Sequence, residues 1–279
     1  MPEITLPQGT VRYSDSGSGD TIVLVHGLLV DGRLWRKVVP LLEGDFRVVV
    51  PDLPLGSHKL PLNESADRTP AGMAQLLADF LEALDLRDVT LVGNDTGGVL
   101  CQIVATRHPE RLARLVLTPT DAFDNFLPAL FRPLQMGAKF PPLLYALVQP
   151  LRLAPLRRLP IAFGWLSKTR TDPEVEKDWI RPFFADARVR RDVIALLVSI
   201  DKKYTLEAAE GLRSFDKPAL IAWATDDKVF PRAHAEELAR LIPDARLEWI
   251  EDSRTFVPED QPERTAQLIR EFVREPATV

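Results

Sequence analysis

The stretch Val92-Gly93-Asn94-Asp95-Thr96-Gly97-Gly98 joins an apolar run to a segment with helical spacing, and it decides the fold. A chain that turns sharply from strand to helix exposes one side chain at the turn and needs residues without bulk two positions before and after it. Gly93 and Gly97 occupy those positions around Asp95. The pattern therefore predicts an elbow that presents the Asp95 carboxyl at the edge of a sheet. The alternative interpretation is an N-cap of the following helix, because Asp is a favoured capping residue.

Short apolar runs alternate with helical patterns on both sides of the elbow, which is typical of a mostly parallel sheet flanked by helices. The predicted strands are near-continuous in apolar residues, as in strands buried on both faces, and cover residues 22–25, 46–50, 89–92, 115–117, 219–223 and 247–250. The predicted helices place apolar residues three and four positions apart and cover residues 34–42, 70–84, 99–107 and 233–241. Residues 3–13 alternate in character and predict an antiparallel hairpin at one edge of the sheet.

The alternation stops between residues 121 and 205, where Leu, Pro, Arg and aromatic residues dominate. We interpret this segment as a helical insertion that lies as a cap, or lid, over the ends of the strands, where open α/β sheets bind ligands. The predicted organisation is one α/β core, made of residues 1–120 and 206–279, with a helical cap made of residues 121–205.

Composition and charge exclude several classes of function. The 279 residues are 46% hydrophobic and carry a formal net charge of −5, which suits a globular protein and supplies no broad basic field for nucleic acid. The single cysteine cannot form an internal disulfide. No signal-peptide pattern and no apolar run of about 18 residues is present. We expect a cytoplasmic monomer or homodimer that binds a small-molecule substrate, without a membrane or nucleic acid as partner.

A second motif, His26-Gly27-Leu28-Leu29, directly follows the first parallel strand. In an elbow architecture this loop supplies one backbone N–H to an oxyanion hole, and the residue after the elbow supplies the second. Leu28 and Thr96 are the predicted donors. His26 is interpreted as a residue that shapes the loop.

An acidic turn that ends in proline, from Asp226 to Pro231, follows the strand at 219–223. Asp227 has the better spacing for an acid that supports catalysis at the end of this strand. Asp121 and Asp124 follow the strand at 115–117 and are an alternative source of acid at the same edge. Each of these residues, taken singly, also suits a turn or a cap.

Together these features resemble the α/β-hydrolase superfamily, and the Asp at the elbow resembles the subset that contains haloalkane dehalogenases and epoxide hydrolases. The segments His108-Pro109-Glu110-Arg111 and Pro51-Asp52-Leu53-Pro54 belong to the resemblance, which covers nearly the whole chain. It implies the α/β-hydrolase fold. It also implies a cycle in which the carboxylate forms an ester with the substrate and a histidine, backed by an acid, activates the water that hydrolyses it. No cofactor or metal is expected.

The histidine of that cycle follows the last strand, and Thr255 occupies its position here. The register is set by Asp252-Ser253-Arg254 before it and by Pro258-Glu259-Asp260-Gln261-Pro262-Glu263 after it. Threonine does not ionise near neutral pH and cannot act as the general base. His58, in a loop after a strand at the catalytic edge, is the candidate substitute base, and a solvated loop residue is the alternative interpretation.

Two other markers of the subset are different in this chain. Dehalogenases of this type carry a halide-binding Trp where this chain has Thr96, and epoxide hydrolases use two cap tyrosines, for which Tyr145 and Tyr204 are the candidates. Two functions stay open. The chain is an enzyme that acts on a small to medium apolar substrate through Asp95, as a nucleophile or as an acid/base in a non-hydrolytic reaction. Alternatively, it is a catalytically degenerate hydrolase that binds a ligand without turnover.

Overall fold

The computed structural model describes residues 1–275 and contains one eight-stranded sheet. In chain order, β1 to β8 are Glu3–Leu6, Gly9–Ser16, Thr21–Val25, Arg47–Asp52, Val89–Gly93, Leu112–Leu117, Ala219–Ala224 and Ala245–Ile250. The spatial order is β1-β2-β4-β3-β5-β6-β7-β8. The strands from β4 to β8 in this order are parallel, and β1 and β2 are antiparallel at one edge. The predicted mostly parallel sheet and its edge hairpin are confirmed.

Eleven α-helices complete the described part of the chain. In chain order, α1 to α11 are Val39–Leu42, Pro70–Ala83, Thr96–Arg107, Arg132–Ala138, Pro141–Val148, Pro173–Ala185, Ala187–Ser199, Lys203–Leu212, Arg232–Leu241, Val257–Asp260 and Pro262–Arg274. Short 3-10 turns occur at Gly32–Trp35, Pro109–Arg111, Ala129–Phe131, Gln149–Arg152 and Ala154–Arg158, and a π-helical turn occurs at Pro160–Gly164.

Two details of the sequence prediction are wrong. The helix predicted over residues 34–42 is divided into the turn Gly32–Trp35 and the short helix α1, because Pro40 lacks an N–H and therefore starts a helix more readily than it continues one. The last predicted strand, β8, lies at the edge of the sheet and is mostly half-buried. Apolar content alone does not distinguish an edge strand from a central one.

The centre of the sheet positions the site. The strands β3, β5 and β6 are neighbours and are almost wholly buried, and their carboxyl ends meet at one edge, where loops carry the functional side chains of such sheets. The structure describes every residue between β6 and β7, and the regular secondary structure of this segment is entirely helical. Helix α8, which begins at Lys203, packs against the core helix α3. The chain therefore returns from the cap to the core at α8.

A buried carboxylate ties the cap to the core. Asp260 at the end of α10 accepts hydrogen bonds from the Ser167 hydroxyl and from the backbone N–H groups of Lys168, Thr169 and Arg254, at 2.7 to 2.9 Å. A carboxylate that accepts this many hydrogen bonds keeps its buried charge stabilised. The segment 167–169 is thereby held against the loop that follows β8. Within residues 1–275, no helix is long and apolar enough to cross a membrane.

Candidate active site

The elbow at Asp95 has a backbone conformation that sterics usually forbid. Asp95 has φ +54° and ψ −136°, outside the regions that non-glycine residues favour. Its neighbours leave no room for side chains: a Cβ at Gly97 would lie 2.3 Å from the His26 carbonyl oxygen, and a Cβ at Gly93 would lie 2.6 Å from the Gly98 Cα. The two glycines that the sequence singled out are therefore required by close backbone approach.

Hydrogen bonds hold the backbone of Asp95 on both sides. Its N–H donates to the Pro119 carbonyl at 2.8 Å, and the Thr120 hydroxyl donates to its carbonyl oxygen at 2.6 Å. The Asp95 side chain makes no capping hydrogen bond to α3, so the N-cap interpretation is wrong. Hydrogen bonds with the segment after β6 hold the strained turn in place. The Asp95 carboxyl is not used to cap α3.

The two predicted backbone donors converge on the Asp95 carboxyl. The side chain lies over Gly27, where a Cβ would come within 2.2 Å of Oδ2. Burial raises the pKa of Asp95 to about 7, with a smaller contribution from the nearby charge of Asp227 and against hydrogen bonding from the N–H groups of Thr96 and Leu28. The Asp95 carboxyl therefore titrates close to neutral pH, beside two fixed donors.

His26 lies under the loop that carries Leu28. It is fully buried, its Nε2 accepts from the Leu53 N–H at 2.9 Å, and its Nδ1 lies 2.9 Å from the Gly27 carbonyl oxygen. Since a carbonyl only accepts, the proton is on Nδ1. Burial lowers the pKa of His26, so the ring is neutral. Both nitrogens are used to fix the loop.

Asp227 and Thr255 form a hydrogen-bonded pair beside the elbow. The Thr255 hydroxyl donates to Asp227 Oδ2 at 2.9 Å, while Oδ1 of Asp227 accepts from the N–H groups of Val229 and Phe230 at 2.7 Å each. Burial raises the pKa of Asp227 to about 6 in spite of these donors. In residues 1–275, which include all four histidines, no histidine is hydrogen-bonded to Asp95 or Asp227.

Asn94 is a site residue that the sequence reasoning missed. Its side-chain amide donates to the Thr255 carbonyl at 2.7 Å and to the Thr118 hydroxyl at 2.8 Å. It is fully buried and joins the elbow to the loop that presents Thr255. The available signal was an amide side chain immediately before Asp95, where an apolar residue would continue the strand.

The two alternative acids after β6 have opposite environments. Asp121 is fully buried, neither of its carboxyl oxygens has a hydrogen-bond partner, and burial together with the charge of Asp95 raises its pKa well above the usual range. This environment favours the uncharged form of the Asp121 carboxyl. Asp124 is exposed to solvent. Asp121 therefore lies close to the elbow, whereas Asp124 lies on the surface.

His58 is neither placed to act as the substitute base nor surrounded by solvent. Both interpretations of this residue are therefore wrong. It is buried, with only 3% of its surface exposed. Its Nδ1 accepts from the Gly56 N–H at 3.2 Å, and its Nε2 lies 3.4 Å from Asp192 of the cap. Asp192 also binds Arg68. His58 thus belongs to a cap-to-core ion cluster near β2 and β4, which β3 separates from β5 and its elbow.

The two candidate cap tyrosines also lie away from Asp95. Tyr145 on α5 packs against the Phe184 ring at 5.8 Å and under the Arg190 guanidinium at 4.9 Å. Tyr204 lies on the core helix α8. Neither residue lines the cavity over Asp95, so the pattern expected of a ring-protonating tyrosine pair is absent from the described residues.

A small apolar cavity of about 60 Å³ lies between the elbow and the cap. Asp95 and Thr96 are its polar lining residues, and the apolar lining includes Leu28, Leu127, Phe131, Phe163 and Leu166. A second cavity, of about 20 Å³, is lined by apolar residues throughout and shares Leu29, Leu134 and Leu151 with the first. The Asp95 carboxyl therefore faces an apolar space beneath the cap.

Comparison with known proteins agrees with this architecture. A family model described as alpha/beta hydrolase fold matches residues 20–262. The chain therefore belongs to the α/β-hydrolase fold family, and the predicted fold class is confirmed. The finer assignment to the Asp-nucleophile subset is considered below.

Particular relatives cover nearly the whole chain. An uncharacterised protein of Mycobacterium tuberculosis is 31% identical over 270 residues, which are 92% of this chain and 76% of that protein. A cis-3-alkyl-4-alkyloxetan-2-one decarboxylase of Xanthomonas campestris is 27% identical over 294 residues, covering 96% of this chain and 93% of that protein. The solved structure of a thermophilic esterase from Thermogutta terrifontis has a TM-score of 0.78 and 25% identity, and covers 98% of both chains.

Proposed function

We propose that this protein is an enzyme in which Asp95 is a carboxylate nucleophile that opens a polarised C–O bond of an apolar, alkyl-bearing substrate. The observation that carries the proposal is the carboxyl on a strained elbow, which faces an apolar cavity and lies beside the N–H groups of Leu28 and Thr96. Enzymes of this fold that form a covalent intermediate carry the nucleophilic side chain at the elbow, and here that residue is Asp.

The geometry suits attack by the carboxylate. One Asp95 oxygen bonds to the substrate carbon, the C–O bond of the substrate breaks, and its electron pair leaves with the substrate oxygen. The second Asp95 oxygen becomes the carbonyl of the new ester and is oriented by the backbone N–H donors, while the negative charge passes to the departing substrate oxygen. Only the ionised carboxylate attacks, so a pKa of about 7 makes the rate of this step rise with pH up to about 7.

Release of the product is where the missing imidazole matters. Hydrolysis of the ester requires a base that deprotonates water, and Thr255, hydrogen-bonded to Asp227, has no such capacity. A reaction that consumes no water avoids this step. The Xanthomonas campestris relative is named for the decarboxylation of an oxetanone that carries two alkyl groups, and loss of CO2 from such a ring uses no water.

A four-membered lactone provides a balanced cycle for this site. Asp95 attacks C4, the saturated ring carbon bonded to the ring oxygen. The C4–O bond breaks, which opens the ring to an Asp95 ester and a free substrate carboxylate. The bond between that carboxylate and the chain then breaks to release CO2, its electron pair forms the C=C bond, and the C–O bond to Asp95 breaks to regenerate the carboxylate. The apolar lining of the two adjoining cavities suits two alkyl groups.

The test uses a cis-3,4-dialkyl-oxetan-2-one in water enriched in ¹⁸O. The proposal predicts alkene and CO2, no ¹⁸O in the peptide that contains Asp95, and loss of product with Asp95→Asn. The exposed Asp124→Asn is the matched control and keeps activity. A β-hydroxy acid product with ¹⁸O in Asp95 indicates hydrolysis through the same nucleophile and refutes the water-free release. Product formation by Asp95→Asn refutes the nucleophile itself.

A second candidate is that Asp95 acts as an acid/base on an apolar substrate, because a pKa of about 7 matches a proton-transfer role at neutral pH. Exchange of a substrate C–H for deuterium in D2O, without any adduct on Asp95, distinguishes this role from attack on carbon.

A third candidate is a degenerate hydrolase that binds a ligand without turnover. It is favoured by the hydrogen bond from Thr255 to Asp227, because threonine takes up the Asp227 carboxylate and supplies no general base. Calorimetric binding of the lactone, with neither an Asp95 adduct nor product over hours, identifies this case.

A further inference from the structure

The outer surface of the cap exposes large apolar side chains in one part of the chain. Met136 and Phe140 are 68% and 66% exposed. We call the cap face the surface formed by Met136, Phe140, Leu143, Leu147, Leu153 and Leu159, all of which are exposed. In the rest of residues 1–275 beyond 136–165, the exposed large hydrophobic residues are Met1, Val198 and Leu206. Apolar exposure concentrated in this way marks an interaction surface.

Helix α5 is apolar all round. Leu144 and Val148 are buried against the body of the cap, whereas Leu143 and Leu147 point outward and are exposed. The spacing from Phe140 to Leu143 and Leu147 places the outward side chains on one side of the helix. A surface helix normally carries polar residues on its outer face, so the outer face of α5 is built to be covered.

The charge of the same segment is one-sided. Residues 125–171 contain seven Lys and Arg residues and no Asp or Glu, in a chain whose net charge is −5. Four of the seven are exposed and have no salt-bridge partner within residues 1–275, namely Arg132, Lys139, Arg152 and Arg170. The acidic net charge therefore conceals a local cationic surface around the exposed apolar side chains.

The cap face also adjoins the cavity over Asp95. Ile161 is 37% exposed and at the same time lines that cavity, and Trp165, a few residues further on, is 39% exposed. The inner side chains of the same elements, Leu134 and Leu151, line the cavity as well. A partner that covers the cap face would lie beside the entrance for an apolar substrate.

We propose that the cap face docks on the surface of a lipid bilayer that contains anionic lipid. The apolar side chains insert among the acyl chains near the headgroups, and the surrounding cations meet the anionic headgroups, which is the combination that holds peripheral helices at a membrane. A second copy of the chain fits less well, because a two-fold interface places the same unpaired cations against one another. The sequence expectation of no membrane partner followed from net charge and the lack of a spanning segment, and neither addresses a surface of this kind.

Flotation of the full-length protein with vesicles tests the inference. We expect the protein to float with vesicles of equal parts phosphatidylcholine and phosphatidylglycerol, and to stay at the bottom with pure phosphatidylcholine or in high salt. Each cation near an anionic surface strengthens binding about five-fold. Arg132→Glu combined with Lys139→Glu should therefore weaken binding by about 25-fold or more, whereas Arg87→Glu combined with Arg240→Glu, on the core, should leave it nearly unchanged.

The apolar contribution has its own matched pair. The triple variant Phe140→Ser, Leu143→Ser and Leu147→Ser should lose flotation, and the variant Leu206→Ser, on a core helix, should keep it. Asp95→Asn should float like the wild type, so docking is judged independently of the proposed chemistry. Absence of flotation with anionic vesicles, or equal flotation of the cap variants and the wild type, overturns the inference. So does a stable dimer, measured by analytical ultracentrifugation, that the triple variant dissociates.

Discussion

Replacement of Asp95 by Asn should stabilise the fold, and the gain should depend on pH. The pKa of Asp95 is raised from 3.8 to about 7, chiefly by burial. Between these values the unfolded chain releases the proton while the folded chain keeps it, so the free energy of unfolding falls as pH rises. Each pKa unit corresponds to about 1.4 kcal/mol, which sets an upper limit of about 4 kcal/mol on the cost at pH 7 and above.

The measured cost should be lower than this limit, because the cavity side of the carboxyl is partly accessible and water screens its charge. About 2 kcal/mol is a reasonable magnitude after such screening. Asn has nearly the same shape and no charge, so Asp95→Asn removes the cost. For a chain of this size, 2 kcal/mol corresponds to a rise in Tm of about 4–8 °C.

The assay is thermal unfolding of the wild type and Asp95→Asn from pH 4 to pH 9, followed by circular dichroism. The difference in Tm should be small at pH 4, grow up to about pH 7 and stay constant above it. The difference between the two proteins isolates this group from other titrating groups, and Asp124→Asn controls for loss of a surface charge. A difference in Tm that is the same at every pH, or that favours the wild type above pH 7, refutes a buried carboxyl with a raised pKa.

Three further predictions follow from particular contacts. Thr255→His places an imidazole beside Asp227 and should raise hydrolysis of simple ester and epoxide test substrates by about 100-fold or more; a folded variant with no gain argues against Asp95 as a latent nucleophile. Gly97→Ala brings a methyl group against the His26 carbonyl and should cost about 1–3 kcal/mol by urea unfolding, whereas Gly44→Ala, which meets nothing within 4 Å, should cost far less. Asp260→Ala removes the acceptor for the backbone N–H groups of Lys168 and Thr169 and should accelerate hydrogen exchange there; unchanged exchange would show that other contacts hold the cap.

Much of the architecture follows from local sequence. The elbow was readable because two glycines at fixed offsets from Asp95 have one steric purpose, and the structure shows the backbone contacts that demand them. The parallel strands were readable because each is a short apolar run bounded by turns. In each case the cause acts over a few residues.

Other features depend on contacts between distant residues, which periodicity and local motifs do not encode. His58 lies in a loop as predicted, but it is buried and hydrogen-bonded to Asp192, 134 residues away, so the prediction that solvent surrounds it is wrong. Asp121 and Asp124 look equivalent in sequence, yet only Asp121 is enclosed. The cationic excess of residues 125–171 is written in the sequence, but only the fold reveals that the apolar residues among those cations face outward. Local sterics and hydrophobic pattern determine which elements form, whereas burial and electrostatic environment are properties of the assembled fold and determine the chemistry of each carboxyl and imidazole.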